Sequence, residues 1–188
     1  MRVPIIMTQS AIQESNFQEF YKFKSKPYKH QFDAWLRSRD RENFALFMEM
    51  GTGKSKVAID NFSYLYDQGK IDSVLLIAPK GVYRNWIDRE IPKHLPEHVV
   101  YTHAVWTAAK SKSKIIELNR ILKGGYDLRI LLMNVEAFST GNGKSFAKKF
   151  VNSGKCFITI DESTTIKNHS AARTKAILNV GVQAKYRR

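Results

Sequence analysis

The sequence predicts an α/β domain with a mostly parallel sheet and helices on both faces, and three observations predict it. Short continuous apolar runs, Val74-Leu-Leu-Ile-Ala78, Leu128 to Val135 and Cys156-Phe-Ile-Thr-Ile160, have the length of strands buried on both faces. Segments with apolar residues at helical spacing alternate with them. A glycine turn, Gly51-Thr-Gly-Lys-Ser55, stands between an apolar run and a helical pattern, which is the strand–loop–helix order of a phosphate-binding loop.

Residues 1–26 carry little pattern and are read as an N-terminal appendage. Within them Phe17, Phe20, Tyr21 and Phe23 alternate with Lys22, Lys24 and Lys26. Packing as an edge strand is the favoured expectation, and an aromatic-basic surface for nucleic acid is the alternative. Pro27 suits a helix start, and Tyr28, Phe32, Trp35 and Leu36 make a helical core face. Gln31 lies beside that stripe; its amide offers one donor and one acceptor, which suits the N6/N7 edge of adenine. Phe44 to Met48 is expected to be a buried strand. After the glycine turn, the helix from Lys56 to Gln68 presents Ala58, Phe62, Leu65 and Tyr66, and Gly69 stops it.

Lys80-Gly-Val-Tyr-Arg-Asn-Trp86 follows the strand at Val74 and leads into a helix expected to stop before Pro92. Val99 to Val105 is a strand, and Ile115 to Leu122 a helix ended by Gly124-Gly125. A Gly/Ser/Asn loop, Ser139 to Ser145, follows the strand at Leu128 and precedes a short helix bearing Phe146, Phe150 and Val151. The last helix, Ala171 to Val180, is predicted to face Ala172, Ala176, Ile177 and Val180 inward.

A chain of 188 residues favours one domain with a full core. No apolar run approaches the roughly 20 residues that span a bilayer, so a membrane partner is not expected. Cys156 is the single cysteine, which excludes an intrachain disulfide and a cysteine metal site. It is read as a small core residue of a cytoplasmic protein. The net charge is +14 and lies mostly in the second half: Lys/Arg against Asp/Glu is 15 to 12 in residues 1–100 and 16 to 5 in residues 101–188. That excess points to a polyanionic partner, nucleic acid above all.

The chemistry gathers at the carboxyl ends of the predicted strands, where ligands bind in parallel sheets. The backbone amides of the glycine turn and the positive end of the following helix make a socket for an anion. Lys54 can reach the outer phosphates of a nucleotide, and Ser55 can offer its hydroxyl to Mg²⁺. The strict pattern wants Gly at position 48, where this chain has Met48. Ile158-Thr-Ile-Asp161-Glu162 is an apolar strand ending in two acids; the first suits the metal and the second a water.

Pro27-Tyr-Lys-His-Gln31, Glu49-Met-Gly-Thr-Gly-Lys-Ser55, Ile77-Ala-Pro-Lys-Gly-Val-Tyr-Arg-Asn-Trp86, Asn134-Val-Glu136 and Asp161-Glu-Ser-Thr-Thr-Ile-Lys-Asn168 occur in that order. From about Pro27 onward the chain resembles the first RecA-like domain of a superfamily-two helicase or translocase. The branch is the Swi/Snf-like one, in its bacterial or bacteriophage form. The resemblance implies residues 27–188 as a RecA-like P-loop NTPase domain that binds ATP and Mg²⁺ and acts on DNA. Gln31 matches the adenine-reading glutamine. Gly51, Thr52, Gly53, Lys54 and Ser55 match motif I, and Asp161 and Glu162 the metal-holding and catalytic acids of motif II. Lys80, Gly81 and Arg84 match motif Ia and Asn134 motif Ib, which face the nucleic-acid backbone.

The chain departs from the family in Ser163-Thr164, where Ala-His is usual, and in lacking motif III, the second RecA-like domain and its arginine finger. A fragment of a longer motor is therefore expected, nearly inactive by itself, in the cytoplasm (that of the host bacterium if the protein is viral). Two other readings of the residues stand beside this one: a small P-loop phosphotransferase, and a basic nucleic-acid-binding module with a structural P-loop.

Overall fold

The computed structural model describes residues 20–108, 111–125, 127–168 and 170–188. Five parallel strands form one sheet in the order β2-β3-β1-β4-β5. They are β1 (Ser73–Ala78), β2 (Tyr101–Val105), β3 (Leu128–Asn134), β4 (Cys156–Ile160) and β5 (Tyr186–Arg187). This is the all-parallel α/β arrangement expected of a RecA-like core.

Side chains alternate across the pleat, so each strand feeds two cores. Leu75 and Ile77 of β1, with Leu131, Met133 and Ile158, pack under α5 (Lys112–Leu122), α6 (Gly141–Val151) and α7 (Ala172–Gly181). Val74, Leu76 and Ala78, with Ile130, Leu132 and Phe157, pack under α2 (Lys54–Asp67) and a helical stretch from Val82 to His94. Covering both faces explains why β1 is uniformly apolar apart from Ser73. Cys156 sits in the first core as a small apolar residue, and burial pushes its thiol up to about 12.

A third cluster, Phe23, Phe32, Trp35 and Val57, joins residues 20–26 to α1 (Lys29–Ser38) and α2. Tyr21, Phe23 and Ser25 face inward while Lys22, Lys24 and Lys26 stay exposed. The alternation is that of a packed extended segment, but it joins no sheet. Phe17 lies outside the described residues. Tyr28 is 72% exposed at the N-cap of α1, so the core face of that helix begins at Phe32.

Phe44 to Met48 is not a buried strand. Its pairing stops at the bridge between Asn43 and Arg187 and the bond from Phe44 N–H to the Arg187 carbonyl, and Met48 N–H turns back to the Leu46 carbonyl. Phe47 is 97% exposed. Leu46 and Met48 pack instead against the third cluster.

Pro92 does not end the preceding helix. α3 (Val82–Asn85) passes into a π-helical turn, Trp86–Glu90, and then into α4 (Ile91–His94). Pro92 falls in the first turn of α4, where a missing N–H costs little. α6 begins at Gly141, inside the predicted loop, because the Thr140 hydroxyl accepts from Gly143 N–H and caps it. In α7 Ala172 is exposed and Thr174 takes the buried place.

Candidate nucleotide site

The strands are parallel, so their carboxyl ends lie along one edge of the sheet. Register sets Asn134 opposite Ala78, and Ile77 opposite Ile160. Pro79-Lys80, Val135 and Asp161 therefore leave the sheet side by side. The N-terminus of α2 opens toward the same edge. Lys54, Ser55, Asp161 and Glu162 line one cleft of about 880 Å³.

Gly51 and Gly53 hold φ of +77° and +88°, the left-handed region that glycine adopts without a Cβ penalty. The turn is folded upon itself. Thr52 Oγ1 donates to the Glu49 carbonyl at 2.6 Å, and Lys54 Nζ donates to the carbonyls of Met48 and Glu49 at 2.9 and 3.0 Å. These are neutral acceptors, which an anionic phosphate outcompetes for an ammonium group.

Gln31 lies under this turn. Its Nε2 donates to the Thr52 carbonyl at 3.0 Å and its Oε1 accepts from Tyr28 N–H at 3.0 Å. Both sides of the amide are thus occupied, and contact with a base requires it to exchange these bonds. His30 Nε2 also reaches the Thr52 carbonyl, at 3.0 Å, a contact the sequence alone does not signal.

Asp161 continues β4, its N–H donating to the Ile77 carbonyl at 2.8 Å. Its Oδ2 accepts from the indole N–H of Trp86, also at 2.8 Å. Glu162 has φ +58°, the one positive φ outside glycine among the described residues. Such backbone costs on the order of 1–3 kcal/mol and clusters at functional sites. Here it lets the chain turn off the strand at once, leaving both acids on the cleft. Ser163 and Thr164 follow, exposed, in a short 3₁₀ turn.

The donor set fits a hard divalent cation. A hydroxyl at Ser55 and a carboxylate at Asp161 face one cleft with room for phosphate oxygens, and Mg²⁺ takes one or two protein oxygens with phosphate and water. Among the described residues no three His, Cys, Asp or Glu side chains cluster as an all-protein metal cage.

Lys80, Gly81 and Arg84 come together, exposed, beyond β1, where Gly81 (φ +93°) caps α3. Asn134 adjoins them by register, but its Oδ1 accepts from Ala137 N–H at 2.9 Å and caps the 3₁₀ turn Val135–Ser139.

α2 is anchored just past its N-terminus. Lys56, one residue beyond Ser55, is buried and donates to Asp60 Oδ2 at 2.7 Å and to the Ser25 carbonyl at 2.9 Å. Burial pushes the Asp60 carboxyl up to about 7 against the pull of Lys56. Ser25 Oγ meets His94 Nδ1 at 2.8 Å. Burial, then Lys56 and Lys93, hold the His94 ring down at about 4.

A family model described as the SNF2-related domain matches residues 28–187. A chromatin protein of Xenopus tropicalis, SWI/SNF-related matrix-associated actin-dependent regulator of chromatin subfamily A containing DEAD/H box 1, is 24% identical over 162 residues. The aligned part is 85% of this chain and 16% of that protein. The SWI2/SNF2 ATPase core of Sulfolobus solfataricus, solved with double-stranded DNA, superposes with a TM-score of 0.62 at 24% identity. It covers 89% of this chain and 32% of its own. The UvsW helicase of bacteriophage T4 superposes at 0.57 with 13% identity, over 87% of this chain and 51% of its own. At these identities the solved neighbours establish the fold alone.

Proposed function

The chain belongs to the SNF2-related domain family, and from that premise we propose that it is the ATP-binding half of a nucleic-acid-dependent ATPase that couples hydrolysis to movement on DNA. The observation that carries this reading is the meeting of Lys54 and Ser55, from the head of α2, with Asp161 and Glu162, from the end of β4, in one cleft. These pairs lie about a hundred residues apart in the chain, and each alone is a common motif.

In this reading Lys54 exchanges the Met48 and Glu49 carbonyls for the outer phosphates of ATP. The amides of residues 51–55 and the α2 N-terminus bind the remaining charge. Mg²⁺, held by Ser55 and Asp161, would neutralise charge on the phosphate oxygens. Glu162 orients the attacking water and receives its proton. Lys80, Gly81 and Arg84, with Asn134 beside them, face DNA phosphates. Residues 27–188 are then the first RecA-like domain of a bacterial or bacteriophage motor working in the cytoplasm, and a second such domain supplies an arginine to the cleft. An arginine of that kind is worth roughly 10³–10⁵ in turnover in well-studied NTPases, so these 188 residues bind ATP and hydrolyse it very slowly.

Calorimetry with ATP and Mg²⁺ tests the site: Lys54→Ala should abolish binding, and unchanged binding overturns the assignment. Turnover with duplex DNA tests the rest. The protein carrying both domains should be fast, and Glu162→Gln should stop it with ATP binding intact. Equal rates for that protein and for residues 1–188 would mark a self-sufficient NTPase instead.

A further inference from the structure

We propose that Trp86 is a positioning residue for Asp161, and that their bond links the exposed basic segment Lys80–Arg84 to the metal side of the nucleotide cleft. The inference rests on the nucleotide reading above and names a regulatory connection within that site.

Trp86 is 2% exposed, yet its Nε1–H crosses 75 residues of sequence to donate to Asp161 Oδ2 at 2.8 Å. A buried indole N–H needs an acceptor, and a backbone carbonyl is enough to satisfy it. Here the acceptor is one oxygen of the strand-end carboxylate. The chemistry of the donor matters. A Lys or Arg in that place would neutralise the carboxylate and compete with a cation for it. The indole is neutral: it fixes the plane of the carboxylate, leaves its charge, and leaves Oδ1 for a metal. Carboxylates that hold metals are characteristically oriented by such second hydrogen bonds, whose loss costs about 10–100-fold in metal affinity.

The helix that carries the ring is unusual at that point. The π-helical turn begins on Trp86 and runs to Glu90. Single π turns inside α-helices are rare and concentrate at functional sites. Ile91 and Leu95, beyond this turn, are buried in the same core as Trp86, so the segment is held as one body against the sheet. Its other end holds Gly81 and Arg84, exposed and next to Lys80. An anion bound by Lys80 and Arg84 therefore acts on the helix that aims the indole at Asp161.

The test separates orientation from bulk stability. Nucleotide binding to the chain is measured by calorimetry with ATP, first with chelator and then across a Mg²⁺ titration, for wild type, Trp86→Phe and Asp161→Asn. Trp86→Phe should keep the Mg²⁺-free affinity within about twofold while the Mg²⁺ midpoint rises about tenfold, the low end of that range. Asp161→Asn should remove the Mg²⁺ dependence. If wild type shows no Mg²⁺ dependence, the nucleotide reading itself fails. If wild type shows it, Asp161→Asn loses it and Trp86→Phe keeps the wild-type midpoint, the proposal alone is overturned.

Should Trp86→Phe not fold, benzothienylalanine placed at position 86 keeps the ring shape and removes only the donor. The same tenfold shift is expected, and an unshifted midpoint overturns the proposal. A duplex oligonucleotide should move the Mg²⁺ midpoint of wild type and leave that of the variant in place. No shift in wild type, or an equal shift in both, overturns the link to the basic segment.

Discussion

The side-chain amide of Gln31 donates to the carbonyl of Thr52 at 3.0 Å, and a Cβ on Gly53 would press against its nitrogen. A side chain at residue 53 would therefore displace the amide by which α1 holds the glycine turn. Gly53→Ala meets both this contact and a φ of +88°. A left-handed alanine alone costs about 1–2 kcal/mol, so ATP affinity should fall about tenfold or more by calorimetry. Adding Gln31→Ala should recover only part of it, since the backbone strain remains. A Gly53→Ala protein that binds ATP like wild type would show that the loop opens fully before the nucleotide enters.

The basic segment makes a salt-dependent prediction. Each phosphate neutralised contributes about −0.9 to the log–log slope of duplex affinity against salt. Lys80→Ala and Arg84→Ala should each weaken duplex DNA binding and reduce the slope by about one. Slopes equal to that of wild type would place the DNA face elsewhere on this +14 chain.

His94 predicts an acid-sensitive joint. Its ring is held down at about 4 from an ordinary 6.5, so the fold accepts the neutral form. The stability it contributes is complete above about 6.5 and is lost as pH falls through about 4. Asp60 is displaced the other way, and its contribution fades as pH rises toward about 7. Both proteins keep Asp60, so the stability difference between wild type and His94→Gln isolates the histidine. That difference should shrink by on the order of 2 kcal/mol between pH 6.5 and 4 in urea melts. A difference constant across this range would remove His94 from the account.

Trp35 predicts the weight of the third core. It is fully buried among Phe23, Phe32 and Val57, with its Nε1–H on the Asp60 carbonyl at 3.2 Å. Trp35→Ala should cost about 3–5 kcal/mol and shift the urea midpoint without changing the slope. A loss below about 1 kcal/mol would mean that residues 20–26 and α1 contribute little to global stability.

The short segments that line the candidate site were legible in the sequence because each signal is local. Gly51 to Ser55 needs only its own backbone to make an anion socket, and Asp161-Glu162 needs only the strand before it. The burial of β1, β3 and β4 was legible for the same reason, since a run apolar on both faces has few other places to go. Phe44 to Met48 misled because its apolar pattern matches a buried strand, while burial of a strand depends on a partner ladder that no local pattern encodes; its pairing here is a single bridge at Asn43.

Composition, the glycine turn and the two acids, read in order along the chain, determined by themselves that this is a parallel α/β domain with a candidate nucleotide site on one edge of its sheet. Tertiary structure decided the connections. The Trp86 indole meets Asp161 only because β1 and β4 are neighbours in register, which brings together groups 75 residues apart. Lys56, Asp60, Ser25 and His94 meet because two separate segments, residues 20–26 and α4, converge on α2. Hydrogen bonds of this kind depend on distances of about 3 Å, and sheet order and helix packing, rather than the identity of any one residue, set those distances.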